Sequence, residues 1–482
     1  MSKYDAAVVG AGPNGLAAAV VLARSGMSVL IIERENAIGG ASKTQEFASS
    51  AFRFDVGSAI HPLALASPFF RQFGLEQRVE FVVPEASYAH PFTDGSAGVA
   101  FRNLDATAES LGRDGEAWRR LFQPLLDRAE EITEFATDSL IQVPRRPAAA
   151  VSFATKVLEQ GTHLWNARFR DDIAPAMLSG LFAHNISPQP ALASAAAGML
   201  LGTLAHRDGW PVPIGGSQTI VDALAADVLA HGGEIHTGRT VTTLDEFEAD
   251  QLVMLDVSTD QLLRMGGKRL PSGYRRALSR FRFGPGVAKV DFALTAPVPW
   301  KAPEVALTAT VHLGGSRREI RDAERQLARG MIAEHPYVLV AQPSLFDTSR
   351  APEGMHTLWA YVHVPHGSTV DATELITAEI ERYAPGFRDT VLFSHATSAA
   401  QLGEHDLNFV GGDFAAGATT LRQLVARPLL SRAPWVTPLP NVYLCSSATA
   451  PGPGVHGMAG FHAATRALRD IGAQLPSLML TP

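Results

Sequence analysis

Gly10, Gly12 and Gly15 stand at G-x-G-x-x-G spacing within "VVGAGPNGLAAA" (8–19), with Pro13 and Asn14 between the last two. Glycines so spaced suit a diphosphate. The first permits a sharp turn, the second lets the backbone approach the phosphates, and the third lets a helix pack closely on the preceding strand. The amide-rich start of that helix adds partial positive charge. Glu33 follows about twenty residues on, where a carboxylate can bind ribose hydroxyls and would repel a 2′-phosphate. These residues predict a dinucleotide site that disfavours a phosphorylated nicotinamide cofactor.

Other chemistries find little support. The histidines form no H-x3-H or H-E-x-x-H pair, no G-x-S-x-G elbow is present, and the single cysteine, Cys445, cannot build a disulfide framework or a thiolate metal site. No metal is expected. Net charge is −7 with no basic block, which argues against nucleic acid as a partner.

The elements that must position the glycines are legible around them. "YDAAVVGAG" has the β-branched, apolar content of a buried parallel strand. "GLAAAVVLARSG" is rich in helix formers, with Gly26 placed to end the helix, and "SVLIIER" is a second buried strand. The N-terminus enters the first strand at once, so no signal peptide is expected. A length of 482 residues exceeds what one hydrophobic core usually fills, and two domains are expected. The segment 143–151, "VPRRPAAAV", reads as a loop between helices, and 114–136 carries apolar residues at helical spacing. Residues 187–205 read as a packed Ala-rich helix, with an apolar tunnel wall as the alternative.

Gly39-Gly40 falls six residues past Glu33 in "ERENAIGGASKT". This resembles the extended dinucleotide-binding motif of FAD proteins, which implies that Glu33, Arg34, Gly39, Gly40, Ala41 and Ser42 line the cofactor. With "FRFDVGSAIHP" (52–62), the chain resembles the FAD-dependent amine oxidase and phytoene desaturase superfamily. Within it, the chain is similar to phytoene desaturase-related oxidoreductases of the pyridine nucleotide-disulfide oxidoreductase domain-containing protein 2 type. Four further stretches carry the likeness: 209–244, 247–265, 283–300 and 441–468. In the first, "GGEIHTGRTVTTL" reads as a hairpin or strand pair, and the resemblance implies that the backbone of Val241 touches the adenine. In the third, Lys289 stands where amine oxidases keep a lysine that holds a water near flavin N5; in an alternating strand such a lysine more often faces solvent. In the fourth, Gly454, Val455, His456, Gly457 and Met458 open a helix suited to the flavin ring and ribityl chain. Ser446-Ser447-Ala448 replaces the A-G-E triplet usual in amine oxidases, which weakens that reading.

The resemblance implies an α/β fold: a Rossmann-like FAD-binding domain built from 1–75, 205–290 and 430–482, with an interleaved α+β substrate domain (76–204 and 291–429) of mixed sheet and helical lid. It implies non-covalent FAD and dehydrogenation of an apolar, isoprenoid- or lipid-like substrate by hydride transfer to N5. A polyene isomerase and an amine oxidase-type flavoprotein are the alternatives. His61 and Lys289 are the residues expected to handle protons, while His456, His363 and His366 are weaker candidates. A homodimer and a peripheral membrane contact are further implied, with "KVLEQGTHLWNARFRDD" (156–172) the nearest candidate for the last; the lone cysteine fits a reducing, cytoplasmic location. The electron acceptor is left open.

Overall fold

The computed structural model describes residues 4–47 and 51–479; the chain ends placed above in the first and last FAD-domain pieces, 1–3 and 480–482, lie outside the described residues. Strand β1 (Ala6–Val9) turns through the glycines into helix α1 (Pro13–Arg24), which returns to strand β2 (Val29–Ile32). All four residues of each strand are buried, as a parallel sheet covered on both faces requires. Proline at the first position of α1 gives up an N–H that would find no helical partner.

These strands lie within a five-stranded sheet of order Val442–Leu444, Leu252–Leu255, β1, β2, Glu234–His236. Every pair is parallel, with Val9 opposite both Ile32 and Leu255. The strands come from three separated stretches of chain. Helix α1, the helix Gln218–Ala230 and the last helix, Met458–Asp470, pack together over this sheet around one apolar core.

A seven-stranded sheet forms the second layer system, in the order Val391–Thr397, Gly286–Leu294, His356–Val364, Val338–Ala341, Thr308–Leu313, Ala86–Pro91, Ala97–Phe101. Its pairs are antiparallel except Thr308–Leu313 with Ala86–Pro91. The helices Gly115–Leu126, Ile173–Ala183 and Leu192–Arg207 share a core with this sheet. The fold is α/β, with a Rossmann-like parallel sheet and a mixed second sheet under helices.

Three local expectations are corrected. Residues 232–244 form no hairpin. The single strand Glu234–His236 pairs with β2, then Gly238 at φ +69 turns the chain so that the Gly238 and Arg239 amides bond the Glu35 and Glu33 carbonyls. The backbone is consumed by the end of β2 and cannot fold back on itself. The expected loop at 143–151 instead opens a helix at Pro147 (Pro147–Gln160), again with proline where no N–H is needed. The helical pattern at 114–136 splits into Gly115–Leu126 and Ala129–Ala136. Among the described residues, no helix is long and apolar enough to cross a membrane.

Candidate active site

A cavity of about 480 Å³ runs from the glycine turn to the inner face of the seven-stranded sheet. At one end the turn is built so tightly that side chains have no room. A Cβ on Gly15 would lie 2.2 Å from the Gly10 carbonyl oxygen, and Gly10 itself holds φ +97. The Glu33 carboxylate braces the loop, accepting the Ala11 amide at 2.8 Å and the Glu35 amide at 2.9 Å.

Gly10, Gly12, Pro13 and Asn14 line this cavity, with Glu33, Arg34, Gly40, Ala41 and Ser42 beside them. Val241, Gly454 and Val455 line it from other segments, as do His61 and Lys289. Five expected residues stand behind the wall. Gly15 supports the turn from beneath, and the Gly39 amide bonds the Ala11 carbonyl at 2.9 Å. His456 uses its Nδ1 to accept the Met458 amide at 3.0 Å, and burial pulls its pKa down to about 4. Gly457, at φ +65 against the Phe69 ring, starts the last helix, with Met458 as its first residue.

Buried polar atoms at this end lack partners within the chain: Asn14 Oδ1, Asn408 Oδ1 and His405 Nε2. All three residues line the cavity. Orphaned buried polar groups are costly and point to a ligand that satisfies them. Together with the glycine turn, whose own residues carry no side chain into the cavity, they fit a dinucleotide. Residues that sequence reasoning missed here are Asp256, Arg239, Ser447 and the segment 405–409. Asp256 directly follows the strand Leu252–Leu255, and only that strand's register with β1 brings it to the glycine turn.

The far end is walled by apolar and aromatic side chains, among them Leu200, Leu201, Trp210, Trp359, Tyr361 and Phe414. Residues 187–205 therefore combine both readings: the helix Leu192–Arg207 is packed, and Ala197, Leu200 and Leu201 also form cavity wall. His363 is withdrawn, its Nδ1 2.6 Å from Glu324, and His366 faces the Gly284 carbonyl.

Lys289 does not face solvent. All nine residues of Gly286–Leu294 are buried, because strands flank it on both sides. Lys289 Nζ donates to both oxygens of Asp291, at 2.6 and 2.5 Å. Burial pushes the Lys289 pKa down, opposed by Asp291, and pushes Asp291 up, opposed by Lys289. The ammonium is thus matched within the chain. Lys289→Met should destabilise the fold by about 3 kcal/mol, because it strands a buried carboxylate. The double variant with Asp291→Leu should recover most of that loss. Urea unfolding of the three proteins checks it; a double variant less stable than the single one would contradict the pairing.

His61 is buried, and burial depresses its pKa to about 4. Its Nε2 lies 2.7 Å from Ser217 Oγ, whose hydroxyl already donates to the Ser58 carbonyl at 2.6 Å. His61 therefore donates from Nε2 and keeps Nδ1 as its unprotonated nitrogen. Ser217 is fixed in turn by Asp55, which accepts its amide at 2.8 Å and pairs with the wholly buried Arg350 at 2.7 Å. Cys445 is buried and is not part of the cavity wall. No group of three or more metal-ligating side chains occurs among the described residues.

Residues 14–468 match the family model described as flavin containing amine oxidoreductase. Pyridine nucleotide-disulfide oxidoreductase domain-containing protein 2 of Mus musculus is 26% identical over 97% of this chain and 94% of that protein. The neurosporene-forming phytoene desaturase of Rhodobacter capsulatus is 24% identical over 94% of this chain and 92% of the desaturase. Among solved structures, an oxidoreductase of Methanosarcina mazei superposes with a TM-score of 0.61 at 16% identity, covering 96% of this chain and 99% of that one. That last likeness is one of fold.

Proposed function

Since the chain belongs to the flavin containing amine oxidoreductase family, it is an FAD-dependent oxidoreductase with a non-covalently held cofactor, and we propose that it dehydrogenates an uncharged, apolar substrate of isoprenoid or lipid-like kind. Bound FAD supplies the hydride acceptor. The chain's own residues position the substrate carbon and keep water out. The observation that carries this reading is the charge pattern of the cavity. Its lining carboxylates, Glu33, Glu35, Asp256 and Asp406, belong to segments at the dinucleotide end. The substrate end has Lys289, already neutralised by Asp291, among aromatic and aliphatic walls. An alkylammonium substrate would find no counter-charge there, whereas a hydrocarbon would find a dry, shaped surface. The desaturase similarity supports the same substrate class.

The test is anaerobic titration of the purified flavoprotein, following flavin absorbance. A panel of short and long isoprenoids in micelles should bleach it, and primary amines should not. Bleaching by amines alone would overturn the reading.

We further propose a peripheral membrane contact on the helix Pro147–Gln160. Val151 and Leu158, two turns apart on one face, are 62% and 53% exposed, and Leu164 beside them is 50% exposed. Val151→Asp with Leu158→Asp should abolish co-flotation with liposomes; unchanged flotation would refute the placement.

A further inference from the structure

We propose that Asp256 is a cofactor-binding residue that must carry a proton when FAD is held, so that flavin uptake from alkaline solution is coupled to proton uptake. This step rests on the FAD assignment and goes beyond it, because the glycine motif and Glu33 account for dinucleotide binding without any titrating group.

The geometry begins with strand register. Leu255 pairs with Val9, so the next residue, Asp256, stands against the glycine turn. The space that Gly10, Gly12 and Gly15 leave empty is filled by Asp256. A Cβ on Gly12 would meet its Oδ2 at 2.8 Å, and one on Gly15 would meet its Cβ and Oδ2 at 3.1 Å. Oδ2 accepts the Gly15 amide at 2.9 Å. The carboxyl therefore sits at the N-terminal end of the twelve-residue helix α1, where an anion is drawn. It is 8% exposed and lines the same cavity as Gly10 and Gly12. A charged carboxylate here competes for the position of the diphosphate and repels it. A neutral carboxyl does neither and brings a hydroxyl donor.

Glu33 faces Asp256 from the end of β2, Asp406 from the 405–409 segment, and the Cys445 thiol from the strand beside it. The Gly15 amide is the one group among these that favours the charged form. Among the described residues, no arginine or lysine pairs with Asp256, and Lys43 and His405 act on Asp406 instead. Burial first, then Asp406 and Glu33, push the Asp256 pKa up to about 8 against the pull of the Gly15 amide. The sign follows. Below that value the apoprotein is already protonated and binding takes up no proton. Above it, each FAD bound must bring one proton in, and the diphosphate adds to the same push.

The experiment is calorimetric titration of apoprotein with FAD at about pH 6.5 and about pH 9, in buffers of different ionisation enthalpy, which counts protons directly. The wild-type chain should take up close to no proton at the lower pH and close to one per FAD at the higher, with Kd weakening about tenfold per pH unit in between once above the titration. Asp256→Asn keeps an oxygen for the Gly15 amide, and its Kd should be nearly independent of pH. No uptake by the wild-type protein at the higher pH would overturn the proposal, a result that needs no variant to fold. Uptake that survives in Asp256→Asn, or that vanishes in Asp406→Asn instead, would also overturn it. A chain that bound no FAD at either pH would overturn the flavin assignment and this inference together.

Discussion

Arg350→Met is expected to cost about 3–5 kcal/mol of stability, at the upper end of that range, because one guanidinium neutralises two buried carboxylates. Arg350 is wholly buried. Its Nη1 donates to Asp55 at 2.7 Å, its Nε to Asp347 at 2.6 Å, and its Nη2 to the Pro213 carbonyl at 3.3 Å. Asp55 also accepts the Thr44 hydroxyl at 2.6 Å and the Ser217 amide, while Asp347 accepts the Gly215 amide at 2.9 Å. Strand Arg53–Asp55, the Gly215–Ser217 turn and the 347–350 turn are thereby tied at one point, beneath His61. Methionine fills a similar volume and leaves both carboxylates buried without a counter-charge.

The pH dependence gives this prediction a second reading. Burial pushes Asp55 up, but Arg350, the Thr44 hydroxyl and the Ser217 amide outweigh it and hold its pKa below 3.8. In the wild-type protein that contribution is present above the unfolded value and is lost as pH falls through the lower, folded one. In Arg350→Met the guanidinium no longer opposes burial and only the Thr44 hydroxyl and the Ser217 amide remain to do so, so the Asp55 pKa rises and the variant should gain stability relative to wild type as pH falls from about 7.5 to about 5. Urea unfolding at both pH values reads the two slopes. A variant within about 1 kcal/mol of wild type, which is the range for an exposed pair, would show that the network holds little.

How much of this was legible in the sequence depended on how local the physics is. The turn at Gly10–Gly15 was readable because its requirement is set by backbone sterics within one βαβ unit. Lys289 shows a rule misapplied. Alternation alone favours a solvent-facing lysine, yet residues two apart on a strand share a face, so "KVD" puts Lys289 and Asp291 side by side. Its burial depended on strands at 356–364 and 391–397 flanking it, and pairing between distant strands is not written locally. The same holds for Asn408 and His405, which reach the dinucleotide end from a segment some 370 residues beyond Arg34, whose guanidinium bonds the His405 carbonyl. The hairpin expected at 232–244 is absent for a related reason: the polar backbone there is satisfied by β2 and the residues just after it, not by itself.

In the small-residue run 454–460, Gly454 and Val455 line the cavity, but the strictest steric demand falls on Gly460, which does not. A Cβ on Gly460 would lie 1.9 Å from the Asn14 carbonyl oxygen, 2.8 Å from its carbon and 2.9 Å from the Ala18 amide nitrogen. Helix α1 and the last helix therefore touch backbone to backbone, and neither can yield by turning a side chain. Asn14 lines the cavity and its Nδ2 bonds Ser447 Oγ at 3.3 Å, so any separation of the helices moves the glycine turn. Gly460→Ala should cost about 3 kcal/mol and Gly460→Val more, the upper range for forced overpacking. If even about 2.8 kcal/mol of that strain is relieved by displacing the turn, FAD affinity falls about a hundredfold. The protein should then purify with little yellow colour and a lowered Tm. Gly273→Ala is the control: it lies in the helix Ser272–Leu278, and an added methyl meets nothing within 4 Å. It should be neutral or stabilising by about 0.5 kcal/mol, since alanine restricts the unfolded chain. A Gly460→Ala protein with full flavin content and an unchanged Tm would mean that the helices can part without moving Asn14, and the backbone contact would lose its role in setting the turn.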